Sequence, residues 1–212
     1  MNDYFPTAKS VAVSTKDSVS KHEPNDLAYL GLTGKIELLI RDFLAIQLKN
    51  DFPSLTIARE WKRHDLAILK DSKVLALIEG KQWLSNEVDA GKLARADPKH
   101  GIISAMEADI QKMVKTSDVC QKFISTIFIA TDIDSAEKTH LVSVKYIPLL
   151  KKMDLSRNLE TTHQTAIQKY VQLAQKFGTC SREQLFAGSA YGCDMICDVV
   201  ITEIKNPILA AQ

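Results

Sequence analysis

Three charged residues near the middle of the chain have the types and the spacing that bind a divalent cation: Asp65, Glu79 and Lys81. Residues two positions apart in a strand share a face, so Glu79 and Lys81 point the same way. Two carboxylates at one end of a sheet offer oxygen ligands to Mg²⁺, and the carbonyl of Gly80 can add another. Such an ion lowers the pKa of a bound water and neutralises charge on a phosphate. Lys81 can then orient the water or stabilise a negative transition state.

A predicted β-hairpin brings these residues together. The apolar runs 66–69 and 74–78 lie on either side of a polar turn, residues 70–73. Two short apolar runs around a tight polar turn are typical of paired strands. Asp65 then lies at the open end of the hairpin, beside the two charged residues of the second strand. A simpler interpretation stays open, in which all three are ordinary strand-end charges in solvent.

The stretches H-D-L-A-I-L and A-L-I-E-G-K-Q resemble the core motif of the PD-(D/E)xK nuclease superfamily, which has the restriction-endonuclease-like fold. The resemblance implies an Asp on one strand, Glu-x-Lys on the next, and cleavage of DNA that depends on Mg²⁺ or Mn²⁺. Asp65, Glu79 and Lys81 match those three positions. His64 stands where the family often has proline. The resemblance covers roughly residues 32–130.

A helix predicted over residues 33–49 carries a fourth candidate. Its apolar residues recur at helical spacing, and Thr33 is the predicted N-cap. In the nuclease family a glutamate on the first helix often reaches the metal site, so the resemblance implies that role for Glu37. An exposed partner of Arg41, four residues later, is an equally good interpretation of Glu37.

Two basic segments are candidate contacts for a nucleic-acid backbone. The first contains Arg59, Lys62 and Arg63, and the second, after the hairpin, contains Lys92, Arg95 and Lys99. Cations can contact phosphates, and an aromatic residue such as Trp61 can stack on a base. Each segment is equally consistent with solvated surface charge, and we expect Trp61 to pack on the core. Whether Glu60 joins the metal site stays open.

Composition limits the class of protein. With 212 residues, the chain can form one α/β domain with a sizeable core. Its net charge of +1 means that any phosphate-binding surface must be local. No apolar run approaches the length of a membrane span, and the N-terminal residues lack the apolar core of a secretory signal. The cysteines form no C-x-x-C pair, so we expect reduced thiols in a cytoplasmic protein.

The flanking segments predict an α/β fold. Residues 1–26 are rich in Ser, Thr, Lys and Asp, and we expect a mobile or loosely packed arm before a single domain of 27–212. The pattern S-x-x-E at Ser104 predicts the start of a helix. The apolar run 123–131 predicts a central strand. A helix between two strands implies a crossover, so we expect a mixed sheet flanked by helices, with a restriction-endonuclease-like core.

Three later elements complete the prediction. They are a strand over residues 140–147, a helix from Thr161 that ends near Gly178, and a strand over residues 192–205. No phosphate-binding glycine-rich loop, G-x-S-x-G or H-E-x-x-H pattern occurs in the chain.

The sequence therefore predicts a Mg²⁺-dependent nuclease. DNA as the substrate rests on the resemblance, and RNA stays open. Cutting both strands requires two active sites, which a homodimer would supply. The alternative is a catalytically silent domain of the same fold that binds a protein partner or holds an assembly together. The near-neutral net charge favours this alternative.

Overall fold

A computed structural model describes residues 6–116, 120–131 and 158–205. The helices are α1 Ala8–Val19, α2 Pro24–Thr33, α3 Ile36–Asp51, the short α4 Ser85–Glu87, α5 Ile102–Thr116 and α6 Leu159–Ala174, with an irregular helical turn Val88–Lys92 after α4. The strands are β1 Thr56–Trp61, β2 His64–Lys70, β3 Lys73–Leu84, β4 Gln121–Thr131, β5 Gly178–Ala190 and β6 Cys193–Ile204.

The six strands form one sheet in the order β1-β2-β3-β4-β6-β5. β3 and β4 are parallel, and the other neighbouring pairs are antiparallel. α5 lies in the connection between the two parallel strands, as a crossover requires. The expected α/β class and mixed sheet flanked by helices are therefore confirmed. Along the chain, α3 is followed by β1, the β2–β3 hairpin, α5 and β4.

Helices cover both faces of the sheet and enclose two apolar cores. On β3, Ile78 packs with α1, α2 and α3, whereas its neighbour Leu77 packs with α5 and α6. This alternation explains why the strand reads as a nearly continuous apolar run, since both of its faces are buried. β4 has the same character, with every residue after Gln121 buried, so the predicted central strand is confirmed.

Two tight turns join the first three strands. Asp71 and Ser72 have φ of 48° and 66° between the paired residues Lys70 and Lys73. Two consecutive residues with positive φ are what the preferred two-residue hairpin turns require. The predicted turn is therefore confirmed. A second such turn, at residues 62–63, joins β1 to β2.

The N-terminal segment differs from the expected mobile or loosely packed arm. Residues 8–19 form α1, in which Val11, Ala12 and Val19 are fully buried. The Ala8 amide donates a hydrogen bond to the Glu203 carboxylate at 3.0 Å. Although this segment is polar overall, α1 has a narrow apolar stripe, and this stripe packs on β5 and β6.

The helix predicted over 33–49 is confirmed as α3, but its start differs from the prediction. α2 ends at Thr33, whose hydroxyl donates to the Tyr29 carbonyl (2.8 Å), so Thr33 does not cap the following helix. α3 begins at Ile36. The Glu37 amide donates to the Oε1 atom of Gln82 (3.2 Å), so a side chain of β3 caps the start of α3. This contact fixes the end of α3 that carries Glu37.

Several other boundaries differ from the predicted ones. α5 begins at Ile102, and the Ser104 hydroxyl donates to the Arg95 carbonyl (2.7 Å). Asn158, rather than Thr161, caps α6. Gly178 begins β5, a strand that the sequence did not predict, and a Cβ there would clash with the Glu203 carbonyl oxygen. The strand predicted over 192–205 is confirmed as β6, and the one over 140–147 lies outside the described residues.

A series of buried hydrogen bonds links the end of β3 to α6, β6 and β5. Ser85 Oγ lies 2.7 Å from His163 Nδ1, and His163 Nε2 lies 2.9 Å from Asp198 Oδ1. Arg182 donates to the other oxygen of Asp198 at 2.6 Å. Ser85, His163 and Asp198 are at most 1% exposed. Fully paired polar groups of this kind fix one arrangement of the interior.

In the described part of the chain, no helix combines the length and apolarity needed to cross a membrane. The four cysteines are free thiols.

Candidate active site

Asp65 lies where β2 and β3 separate. The backbones of these strands pair as far as Leu66 and Ile78. Beyond that pair, the Asp65 Oδ2 atom accepts a hydrogen bond from the Gly80 amide at 2.6 Å. A side-chain carboxylate therefore takes the place of the next backbone acceptor. This holds Asp65 against the segment of β3 that contains the Glu-x-Lys motif.

Side-chain alternation along β2 is interrupted at Asp65. Leu66 packs on the α3 side of the sheet, yet His64, two residues earlier, contacts Glu79 and α5 on the opposite side. Regular alternation would place both on one face, so it is interrupted at Asp65. On β1, Glu60 has a φ of 53°, an unusual value for a non-glycine residue in a strand. The interruption turns Asp65 toward α3.

Glu37 and Asp65 converge on Gly80. A Cβ atom added at Gly80 would lie 3.4 Å from Asp65 Oδ2 and 3.5 Å from Glu37 Oε1. Burial raises the pKa of Glu37 and the charge of Asp65 raises it further, while Lys81 and other nearby cations lower it only in part. Glu37 is therefore a member of the carboxylate cluster, and the interpretation as an exposed helix-surface charge does not describe it.

A small pocket lies beside this cluster. Its walls are Ile40, Leu44, Leu66, Ile78 and Ile127 with Ser125, and its charged lining is Glu37, Arg41 and Asp65 together with Gly80. Apolar walls lower the local dielectric constant and strengthen interactions between the charged groups.

Arg41 links this cluster to β1. Its guanidinium donates to Asp42 (3.0 Å), contacts Glu60, and lies 3.7 Å from Asp65 Oδ1. Only 11% of its side chain is exposed. Glu60 is therefore held by Arg41 at the rim, with 63% of its side chain exposed.

Glu79 faces α5 and is almost completely buried, at 2% exposure. Its Oε1 atom contacts His64 Nδ1 and lies 2.7 Å from the Lys112 ammonium. His64 in turn contacts the Thr116 hydroxyl at 2.7 Å. Burial raises the pKa of Glu79, the hydrogen bonds from Lys112 and His64 offset only part of that rise, and the charge of Asp65 adds to it. His64, which stands where the nuclease family often has proline, is a buried partner of Glu79.

Lys81 lies on the same side of the sheet and pairs with Asp109 of α5 at 3.0 Å. Burial alone would lower the pKa of Lys81, but Asp109, Glu37 and Asp65 together raise it above its ordinary value. Lys81 is therefore a protonated ammonium at neutral pH. The charges of both carboxylates at Gly80 reach Lys81, but Lys81 and Glu79 lie on the α5 side of β3, whereas Asp65 and Glu37 meet on its α3 side.

Asp109 and Lys112 are site residues that the sequence did not reveal. They lie three positions apart on α5, which places them on one face of the helix. Asp109 falls within the stripe formed by Ile102, Met106 and Met113, and it is 8% exposed. A single carboxylate at a buried position of an amphipathic helix was the signal that could have revealed it. Within residues 6–116, 120–131 and 158–205, no three His, Cys, Asp or Glu side chains form a group that could hold a metal ion.

The predicted nucleic-acid contacts are at the surface, but several are paired. Arg59 contacts Asp42 at 3.0 Å, and Lys62 lies 4.6 Å from the centre of the Trp61 ring. Trp61 is half-buried against the apolar core that contains α5 and α6, as expected. Arg63 is exposed in the turn just before His64.

In the second segment, Lys92 pairs with Glu87, which makes it a partner of α4 as well as a surface cation. Arg95 and Lys99 are exposed. The two exposed cations are the better candidates for contacts with phosphate.

No protein-family model, curated protein or solved structure matches this chain. The assignment of a function therefore rests on the residues and their geometry.

Proposed function

We propose that the protein is a Mg²⁺-dependent nuclease of the PD-(D/E)xK type, with a restriction-endonuclease-like core, that cleaves DNA. The observation that carries the proposal is the meeting of the Asp65 and Glu37 carboxylates at Gly80. Gly80 is the residue between Glu79 and Lys81. Residues from α3, β2 and β3 thus converge on the motif that the sequence singles out.

Part of the donor set fits a hard divalent cation. Mg²⁺ and Mn²⁺ prefer oxygen ligands, and Asp65, Glu37 and the Gly80 carbonyl would hold the ion on the α3 side of β3. Glu79, which the sequence motif also offers as a ligand, faces α5 and is paired with His64 and Lys112. Gly80 has no side chain to fill the space between the carboxylates. The bound ion supplies a water of lowered pKa and neutralises charge on the phosphate.

Lys81 acts as a hydrogen-bond donor in this proposal. Its pKa is raised by Asp109, Glu37 and Asp65. A lysine that holds its proton this firmly cannot serve as the general base at neutral pH. It orients the attacking water through the oxygen lone pairs and stabilises the negative charge that develops on the phosphate.

The surface around the site suits a nucleic-acid backbone. The turn containing Lys62 and Arg63 directly precedes His64 and Asp65, so its cations lie at the same end of the sheet as the carboxylates. Cations at the rim contact phosphates without reading sequence. Cleavage of both strands of a duplex requires a second site, which a homodimer supplies.

The test is a cleavage assay on supercoiled DNA, linear DNA and RNA, with Mg²⁺, Mn²⁺ or EDTA. Wild type should cut DNA only with a divalent ion, and Asp65→Asn should lose ~10²-fold or more of the rate. Asp71→Asn is the matched control, because Asp71 lies in the turn at the opposite end of the same hairpin. Equal cleavage by Asp65→Asn and Asp71→Asn would move the active site elsewhere.

A second candidate function is a catalytically silent domain that binds a protein partner. The ion pairs of Glu79 with Lys112 and of Lys81 with Asp109 favour it, because they give both motif residues a structural role. A wild-type protein that cuts neither DNA nor RNA, and whose melting temperature is unchanged by Mg²⁺ or Mn²⁺, would support this candidate and exclude the nuclease.

A further inference from the structure

The two sides of β3 carry different parts of the candidate site. The charged residues of the motif, Glu79 and Lys81, pair with residues of α5. Gly80 lies on the other side, beside Glu37 of α3. Because side chains two positions apart in a strand share a face, Gln82 should lie on the α3 side with Gly80, and its contact with α3 confirms this. The residue just after the motif therefore belongs to the side on which the two carboxylates meet.

The start of α3 needs an acceptor from outside the helix. The first amides of a helix have no partner within it, and a side chain at the N-cap usually accepts from one of them. The N-cap of α3 is Lys35, whose ammonium can donate a hydrogen bond but cannot accept one. Gln82 supplies the acceptor: its Oε1 atom receives the Glu37 amide at 3.2 Å.

The amide that Gln82 holds belongs to the residue whose carboxylate enters the site. Asp65 is fixed to β3 directly, because its Oδ2 atom accepts from the Gly80 amide at 2.6 Å. Glu37 is fixed to the same strand through Gln82, two residues after Gly80. Both carboxylates thus take their positions from one short stretch of β3, although they belong to different elements.

We propose that Gln82 is a positioning residue of the active site: it ties the start of α3 to β3 and so sets the distance of the Glu37 carboxylate from Asp65. The inference rests on the proposed nuclease, in which these two carboxylates act together. Gln82 acts through Glu37 in this role. Because a misplacement of ~1 Å in a reacting group can cost ~10²-fold in rate, the contact matters for the chemistry as well as for the helix.

The test uses Gln82→Leu, which keeps a side chain of similar size without the acceptor; Gln82→Met replaces it if the leucine variant does not fold. Amide hydrogen exchange is measured by NMR in EDTA, so this readout depends on neither metal nor activity. The Glu37 amide should exchange roughly 10-fold faster than in wild type, because its acceptor is gone. Gln82→Glu keeps an acceptor oxygen and should keep the protection.

The matched control removes the cap of another helix. Asn158 caps α6 by accepting from the Thr161 amide at 3.0 Å, so Asn158→Leu removes a cap without touching α3. Both leucine variants should melt roughly 2–4 °C below wild type, the shift expected for the loss of one cap in a protein of this size. Cleavage of supercoiled DNA should slow ~10-fold in Gln82→Leu, a scale typical of residues that hold an active-site group in place, and should be unchanged in Asn158→Leu.

A double-mutant cycle with Glu37→Gln identifies the residue through which Gln82 acts. If Gln82 works by placing the Glu37 carboxylate, adding Gln82→Leu to Glu37→Gln should slow single-turnover cleavage by less than about twofold, since the group that it positions is already absent. Losses that multiply would make Gln82 independent of Glu37.

Four outcomes would overturn the positioning role: unchanged exchange of the Glu37 amide in Gln82→Leu, cleavage by Gln82→Leu at the rate of wild type, an equal loss of cleavage in Asn158→Leu, and losses that multiply in the cycle. If wild type cuts DNA while any of these holds, only the positioning role fails. If wild type cuts neither DNA nor RNA, the proposed nuclease fails, and faster exchange of the Glu37 amide in Gln82→Leu then identifies Gln82 as a structural cap only.

Discussion

Replacing Lys81 by alanine tests whether its ammonium acts in catalysis. The loss of cleavage rate must be distinguished from any loss of folded protein. Lys81 also has a structural role, because its ammonium forms an ion pair with Asp109 Oδ2 at 3.0 Å. The side chains are 35% and 12% exposed, so removing the lysine leaves a mostly buried carboxylate without its cation.

The cost in stability can be bracketed. Exposed ion pairs contribute about 0.2–1 kcal/mol, and removing one partner of a fully buried pair costs about 3–5 kcal/mol. The pair of Lys81 and Asp109 lies between these limits, and solvent screens the lysine, so we expect a loss of about 1–2 kcal/mol. For a protein of this size, that lowers the melting temperature by roughly 2–8 °C. Cleavage should fall by ~10²-fold or more.

A second substitution separates the two effects. Asp109→Asn in the Lys81→Ala background removes the uncompensated charge and should restore most of the melting temperature. Cleavage by the double variant should stay as low as in Lys81→Ala. Asp109→Asn alone keeps the ammonium of Lys81 and should cut DNA at a rate within a few-fold of wild type.

The measurements are initial rates on supercoiled DNA with Mg²⁺ and thermal melts followed by circular dichroism. If cleavage recovers together with the melting temperature in the double variant, the loss of activity was a loss of folded protein. If Lys81→Ala cuts as fast as wild type, Lys81 has no part in the chemistry and the active site lies elsewhere.

Three further predictions address the carboxylates and the surface cations. Gly80→Ala places a methyl group in ordinary contact with Asp65 and Glu37, so the fold should survive while Mg²⁺ affinity by calorimetry falls ~10-fold or more; equal affinity would place the ion elsewhere. Burial, and secondly the charge of Asp65, raise the pKa of Glu37 above its ordinary value of 4.5. Protonated Glu37 therefore stabilises the folded state at low pH, and this stabilisation is lost as the pH rises through the folded-state pKa. Metal-free Glu37→Gln should therefore melt above wild type at about pH 8 but not at about pH 4, and a pH-independent difference would contradict this. The double variant Arg95→Ala/Lys99→Ala should have a flatter slope of log DNA affinity against log salt, by ~0.9 for each phosphate that the protein no longer neutralises. An unchanged slope would mean that neither residue contacts the DNA backbone.

Local patterns were enough to predict the centre of the fold. The hairpin and its turn follow from apolar runs around residues 70–73, and the central strand follows from a continuous apolar run. These elements are determined by neighbours in sequence, so alternation and turn chemistry report on them directly. For the same reason, the residues at the end of the hairpin could be named before their geometry was known.

Features fixed by distant contacts could not be predicted in this way. The polar segment of α1 is helical because it packs on strands near the other end of the chain. The interruption at Asp65 accompanies a positive φ at Glu60 in the neighbouring strand, and no residue type marks it. The partners on α5 became site residues only when the crossover laid that helix over β3, so periodicity alone showed Asp109 as an exception within an apolar stripe.

The packing of α1 has a consequence for how the chain is made. Apart from α3, its principal partners are β5 and β6, and β6 ends about 185 residues after α1 does. At ~5–20 residues per second, a ribosome needs roughly 10–40 s to cover that distance. During that interval the apolar side of α1, with Val11 and Val19, has no sheet edge to cover it. The apolar side of α1 therefore stays uncovered by β5 and β6 on the nascent chain until β6 has been synthesised.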